Sequence, residues 1–403
     1  MVKDEVYDVI VWEKATPAED RILATIRERF DLRGVFRMRW SGESFRENLV
    51  RLYSHSQKHL DSRQIRRVMR GKMKHCGDGD FLLIVFLDSA PVYGLKTTSS
   101  GRRTVNTNVF DLKMELREWV GGGHKIHASD DPSETQKDLT LLLGEEHEER
   151  WAGNEPVDDG DALPVHRDVT GVKEFASLGE MFGLLDVAMP YVALRNFEGL
   201  ESVAPAEDHA DIDLLVEDLR HVVHLLGARK AARGPDRVHY AVPVAGESVL
   251  FDFRFGGDRY MDRAWQEEIL SERVRHKDFC YVPDPGNHFH SLLYHALVHK
   301  NVVAIDYRER LIAMGESLGV WSQVAEVDFA REARRAIELF MKRNGYGYTE
   351  PKDLSVIYNR ENVPDAARVS LRRAAFELFW RSAWFERLWK TASRLKRSLH
   401  QVR

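Results

Sequence analysis

Three aspartates carry the most specific chemistry in this sequence. Asp211 and Asp213 stand two apart in ADIDLLVED, and Asp252 lies inside SVLFDFRF. On a strand, period-two alternation turns Asp211 and Asp213 to one face and Ile212 and Leu214 to the other. Two carboxylates facing one way repel each other unless a cation compensates them. A hard divalent ion with oxygen ligands, Mg²⁺ or Mn²⁺, is the natural partner. Asp252, flanked by Leu250, Phe251 and Phe253, sits mid-strand among apolar side chains, so burial and a partner are expected. If the two strands are neighbours, three carboxylates converge on one or two metal ions.

The elements that must position these acids form an α/β (α+β) pattern. A helix is expected from Leu178 to about Val187, then strands at Pro190–Leu194 and Ile212–Val216. A helix over Leu219–Gly227 and a strand pair at His239–Val244 and Ser248–Phe255 follow. From Ala264 the periodicity is mostly helical, with helices expected at Asn287–Val303, Tyr307–Leu318, Phe329–Asn344 and Pro364–Leu399. The N-terminal part opens with a strand at Val6–Trp12 and a helix start at Thr16-Pro17. Strands at Gly34–Trp40 and Phe81–Leu87 follow, with helices at Ser41–Tyr53, Asp111–Trp119 and Glu134–Leu143. Four regions result: an α/β domain over 1–145, an acidic linker over 146–172, the domain bearing the aspartates over 173–310, and a helical region over 311–403. The linker expectation rests on the Gly-, Pro- and acid-rich run EEHEERWAGNEPVDDGDALPVHRD.

With a strand and turn, then D-x-D on the next strand, then a later acid within an apolar strand, residues 185–310 resemble the nucleotidyltransferase superfamily. That family has a polymerase-β-like catalytic fold. The resemblance implies a mixed sheet and the metal set Asp211, Asp213 and Asp252, with Asp252 able to act as base toward an acceptor hydroxyl. It implies a nucleoside triphosphate or another phosphorylated small molecule as substrate, and transfer of a nucleotidyl or phosphoryl group to a small or glycan-linked acceptor. The family's small-residue turn is replaced here by YVALRNFEGL, where Arg195 and Asn196 become the candidate phosphate contacts. Lys300 and Arg308, on later helices, are further candidates of this kind. A fold kept as a binding scaffold without chemistry is the competing reading, and a nucleic-acid-modifying transferase is a third.

A second polar concentration lies in residues 96–139. Lys113 and Arg117 are four apart on one helix face, and Gly121-Gly122-Gly123 leads into His124 and His127. Such a glycine run flanked by cations suits phosphate, and these four residues are candidate contacts for an acceptor. The bland alternative is a loop-rich surface with helices capped by Asp130 or Ser133. The basic run Arg63, Arg66, Arg67, Arg70, Lys72 and Lys74 either extends an anion surface or is a solvated helix face. His295 and His299 share a helix face at a spacing that can bind a transition metal, but packing behind the site or facing the substrate cleft is their expected role.

The bulk numbers bound these readings. A chain with 43% hydrophobic and 31% charged residues can build cores, and its net charge of −5, with no known nucleic-acid module, argues against nucleic acid as a partner. The longest apolar run, Phe81 to Leu87, is far short of the ~20 residues a spanning helix needs. MVKDEVYDVIVWEK lacks a secretory apolar centre, and the two cysteines, Cys76 and Cys280, suggest no disulfide framework, so a cytoplasmic location is expected. The tail combines an apolar stripe at Leu371, Leu378, Phe385, Ala392 and Leu399 with Trp, Arg and Lys. Peripheral attachment to an anionic membrane or docking onto protein are both open for it.

Overall fold

The computed structural model describes residues 4–98, 101–129, 131–145, 162–201, 211–232, 234, 236–322, 325–363 and 370–381. The class is α/β with mixed sheets. Two compact units emerge: one comprises Met1–Ala232, Val238–Phe255 and Leu270–Val282, the other Arg233–Arg237, Gly256–Ile269 and Pro283–Arg403.

The first unit holds two five-stranded sheets. In the N-terminal sheet, strands β1 (Glu5–Val11), β2 (Asp31–Arg39), β3 (Phe81–Asp88), β6 (Ile126–Ala128) and β7 (Leu163–His166) lie in the order β6-β1-β3-β2-β7. A separate hairpin joins β4 (Tyr93–Thr98) to β5 (Gly101–Asn106). Helices α1 (Glu19–Arg29), α2 (Phe45–Leu52), α3 (Ser62–Cys76), α4 (Thr107–Trp119) and α5 (Pro132–Leu143) complete this half. The unbroken apolar run of β3 has a cause: alternate residues feed two cores. Leu82, Ile84 and Phe86 pack with Ile22 and Ile26 of α1 and Leu112 and Leu116 of α4. Phe81, Leu83 and Val85 point the other way, into a larger cluster.

That larger cluster is shared with the second sheet. Here β8 (Tyr191–Ala193), β9 (Ile212–Val216), β10 (Arg229–Lys230), β11 (His239–Val244) and β12 (Glu247–Phe255) lie in the order β10-β11-β12-β9-β8, flanked by α6 (Leu178–Ala188) and α7 (Leu219–Leu226). Ile212, Leu214 and Val216 of β9 join Val249, Phe251 and Phe253 of β12 in the same cluster as Ile10 and Phe36. Arg51 fastens the join: its buried guanidinium donates to the carbonyls of Leu225, Leu226 and Gly171.

The division differs from the sequence-based boundaries at 145 and 310. One core serves both sheets, so 1–145 and 173–255 belong to one unit. The second half of the expected linker is structural. Leu163–His166 pairs in parallel with Phe36–Arg39 of β2, and the Asp168 carboxylate accepts from Ser41 and Asn48. Its composition misled because an edge strand needs few apolar residues. The acidic part, residues 146–161, lies outside the described residues, as do Asp130 and residues 382–403 of the tail.

After β12 the chain enters the second unit through α8 (Arg263–Ser271), and the hairpin β13 (Val274–His276)–β14 (Cys280–Val282) returns to the first. Arg275 secures that return through an ion pair with Asp186 of α6 at 2.5 Å. The second unit is built on α9 (Pro285–Val298), α10 (Ile305–Ser317), α11 (Phe329–Asn344) and α12 (Leu371–Arg381). Asp284 caps α9 ahead of Pro285, accepting from the backbone of Gly286 and Asn287. Its core is aromatic, with His290 stacked on Phe340 at 3.8 Å. In α12 Arg373 is buried, donating to Glu350 and to the carbonyls of Pro351 and Val356, while Leu371 and Leu378 of the expected stripe are exposed. Among the described residues, no helix is long and apolar enough to cross a membrane.

Candidate active site

The aspartates come together across the second sheet. Strand β12 runs parallel to β9 with Asp252 opposite Asp213, and antiparallel to β11 with Asp252 opposite His239. Directly opposed residues project to the same face, so Asp213, Asp252 and His239 form a row away from the shared core. Asp211 stands one residue before β9. Ligand-capable atoms of Asp211, His239 and Asp252 all lie within 4.8 Å of one another.

Opposite charge surrounds the row. Arg195 Nη2 donates to Asp213 Oδ1 at 2.5 Å, with both side chains buried. Arg254, two residues along β12 and therefore on the same face, donates to Asp252 Oδ2 at 2.8 Å. His239 Nε2 lies 3.3 Å from Asp252 Oδ1, an oxygen that makes no hydrogen bond of its own. Burial pushes the Asp252 carboxyl above its ordinary value; the Arg254 charge opposes this, and Asp213 and Asp211 add to it. Among the described residues, three carboxylates thus gather with two guanidiniums and the His239 imidazole.

This donor set fits a divalent ion. The orphaned oxygen offers a ligand position, and Asp211 and His239 lie within reach of the same point. The geometry adds a histidine that the sequence reading missed. Its signal was available: His239 opens the strand next to the acid-bearing one, and antiparallel register across the short Ala245-Gly246 turn puts it opposite Asp252.

Arg195, expected to contact phosphate, is bound to Asp213 instead. Leu194 N–H donates to the carbonyl of Asp213 at 3.0 Å, holding the turn against β9. Asn196 follows with φ of 54°, a left-handed conformation that Asn tolerates better than most residues. Asn196 therefore shapes the turn that carries Arg195. Lys300 and Arg308 belong to the second unit, where Lys300 is exposed and Arg308 lies over the Phe329 ring at 5.8 Å. His295 Nδ1 meets the Tyr260 hydroxyl at 2.6 Å and His299 packs on the Tyr260 ring, consistent with the packing role expected of both.

The N-terminal candidates gather in a different place. Lys113, Arg117, His124 and His127 line one cavity of about 560 Å³. Lys113 Nζ donates to the carbonyl of Ala128, and Arg117 to that of Ile126. His127 Nε2 meets the Asp138 carboxylate at 2.9 Å, and Lys137 pairs with Asp138 as well. Behind them Asp8 is fully buried with neither carboxylate oxygen hydrogen-bonded, and burial pushes its carboxyl well up. The three glycines all have positive φ (75°, 76° and 80°), and a Cβ on Gly123 would lie 2.0 Å from His75 Nε2. The close approach they permit is therefore to α3. Helix α5 is capped by Asp131, not by Asp130 or Ser133, because Pro132 takes the first helical position. Arg63, Arg66, Arg67, Arg70 and Lys74 are exposed along α3, and Lys72 alone of the run turns inward to the cavity.

Compared with known proteins, the chain matches no protein-family model and no curated sequence.

Proposed function

We propose that the first unit is a metal-dependent nucleotidyltransferase-like enzyme, with Asp211, Asp252 and His239 as metal ligands and Asp213 held beside them by Arg195. One observation carries this reading: Asp213, Asp252 and His239 stand in register on three adjacent strands, with ligand atoms of Asp211, His239 and Asp252 within 4.8 Å of one another. A bound divalent ion supplies charge neutralisation and alignment for the phosphates of a nucleotide. The protein's own part is to hold the ligands rigidly. Arg254 fixes the Asp252 carboxylate through one oxygen and leaves the other for ligation. Arg195 offsets the charge of Asp213 and keeps it apart from its neighbour. Asp252, as the resemblance implies, is the candidate to accept the proton of an acceptor hydroxyl as that oxygen attacks phosphorus and the leaving phosphate departs.

A nitrogen donor in the set favours Mn²⁺ over Mg²⁺, because Mg²⁺ takes almost only oxygen ligands. The test is a nucleotide screen with Mn²⁺ or Mg²⁺ that follows pyrophosphate or phosphate release. Metal-dependent turnover that Asp211→Asn and Asp252→Asn abolish supports the reading. Turnover surviving both substitutions contradicts it, and metal binding without turnover on any nucleotide favours a fold retained for binding.

A further inference from the structure

A carboxylate lies in the middle of the apolar strand β1. In VYDVIV, Tyr7 and Val9 feed the core that holds α1 and α4, and Ile10 feeds the opposite one. Alternation turns Asp8 the same way as Ile10. His127 of β6 stands opposite Ile10, so it shares that face with Asp8. Helix α5 packs over the same face through Leu139, Leu141 and Leu142, and it supplies Asp138. Ligand-capable atoms of Asp8, His127 and Asp138 lie within 4.8 Å of one another, and all three side chains are buried.

Their bonding is uneven. Asp138 Oδ2 meets His127 Nε2 at 2.9 Å, and its other oxygen pairs with Lys137, whose Nζ also donates to the Leu52 carbonyl at 3.0 Å. Asp8 is fully buried, and neither of its oxygens makes a hydrogen bond. Unused acceptors at that depth are costly. A proton on Asp8 removes its charge but gives neither oxygen a partner. An ion among the three groups does give it one. Bonds of about 2.0–2.2 Å to a tetrahedral ion set the donor atoms about 3.3–3.5 Å apart. A shift of under about 1 Å in each side chain therefore closes the set.

We propose that Asp8, His127 and Asp138 form a buried Zn²⁺ site, separate from the carboxylate row of the second sheet and independent of whether that row binds metal. The donor chemistry selects the ion. An imidazole with two carboxylates suits Zn²⁺, which is satisfied by four ligands. Mg²⁺ and Ca²⁺ take about six or more oxygens, far more than this buried trio offers. Mn²⁺, lowest in the usual order of affinities, binds here far more weakly. Lys137 keeps its hold on one Asp138 oxygen, as an outer partner that fixes the orientation of a ligating carboxylate. His127 is the member of the trio that lines the cavity of about 560 Å³, so the ion enters past it and a water takes the fourth position. One ion then ties β1, β6 and α5 together.

Equilibrium dialysis against Zn²⁺ tests the proposal in the Asp252→Asn protein, in which the row on the second sheet is disabled. A single Zn²⁺ per chain is expected to remain bound there. Asp8→Asn or His127→Gln added to that background should weaken its binding about tenfold or more. Asparagine keeps the shape of Asp8, and glutamine keeps a donor for Asp138, so both double variants should melt in EDTA like their parent. Zinc should raise the melting temperature of the Asp252→Asn protein and leave both double variants unchanged. A normal melt without zinc and no gain with it separates ligation from misfolding. X-ray absorption at the zinc edge needs no further substitution, and in the Asp252→Asn protein it should show one imidazole among oxygen donors. No zinc-dependent rise in the Asp252→Asn protein, zinc affinity unchanged in the double variants, or a zinc shell without imidazole overturns the proposal.

Discussion

Two regions of the first unit bury charge in opposite ways. On the second sheet, carboxylates meet guanidiniums: Asp213 with Arg195, Asp252 with Arg254. In the N-terminal cavity, Lys113 and Arg117 meet carbonyl oxygens. Both arrangements satisfy hydrogen bonds, and on the sheet the partners also carry opposite charge. On the sheet face Asp211, His239 and Asp252 stand close enough together to hold a cation. Arg51 is a third instance: its guanidinium ends on three carbonyls, and burial lowers it to about 9. It also lines a cavity of about 300 Å³, and its hydrogen bonds to Leu225 and Leu226 hold α2 against α7.

The largest effect that would break this comparison is on turnover. Asp211→Asn or Asp252→Asn should reduce metal-dependent transfer by about a hundredfold or more, in steady-state kinetics with the preferred nucleotide. Next is Arg51→Met, which strands three buried carbonyls and should lower stability by about 3 kcal/mol in denaturant melts. A normal melt would mean that the carbonyl contacts hold little of the join. Arg195→Met sharpens the contrast: without its guanidinium, the carboxylate face depends on an added cation. Mn²⁺ should then raise the melting temperature more in the variant than in wild type, and an equal or smaller rise would show that Arg195 does not stand in for metal charge.

The cavity makes a prediction in pH. Lys72 is lowered when folded, so between about 7 and its ordinary value near 10.5 the unfolded chain binds the extra proton. Its contribution makes stability rise with pH through that window, by up to about 1.4 kcal/mol per pH unit. Lys72→Met should flatten the rise in thermal melts across it. The smallest change is expected of Asp8→Asn. A raised Asp8 carboxyl means that the folded state holds the proton, so its contribution falls as pH climbs from about 4 through the folded value. Asparagine should remove that fall and cost little at pH 7.

Much of the second sheet was legible in the sequence. Ile212–Val216 and His239–Val244 are strands over the ranges that alternation indicated. Asp252 faces Asp213 because acids set among apolar neighbours leave little choice of face. The shared core was not legible. Phe81–Leu87 reads as buried without revealing that its two faces serve different clusters, one of them joined to a sheet more than a hundred residues later. Lys72 was hidden for a related reason: within a run of exposed arginines, only the approach of Tyr53 distinguishes it. The partner of Arg195 escaped too, since a positive φ at Asn196 redirects the turn in a way that residue type alone does not specify.

The most direct test of the cation site is a titration of free Mn²⁺ by electron paramagnetic resonance with wild type, Asp252→Asn and His239→Ala. Saturable Mn²⁺ binding in wild type, weakened about tenfold or more in His239→Ala and lost in Asp252→Asn, is the predicted result. Absence of binding in wild type, or the same binding in all three, would contradict a metal held by the row across β9, β12 and β11.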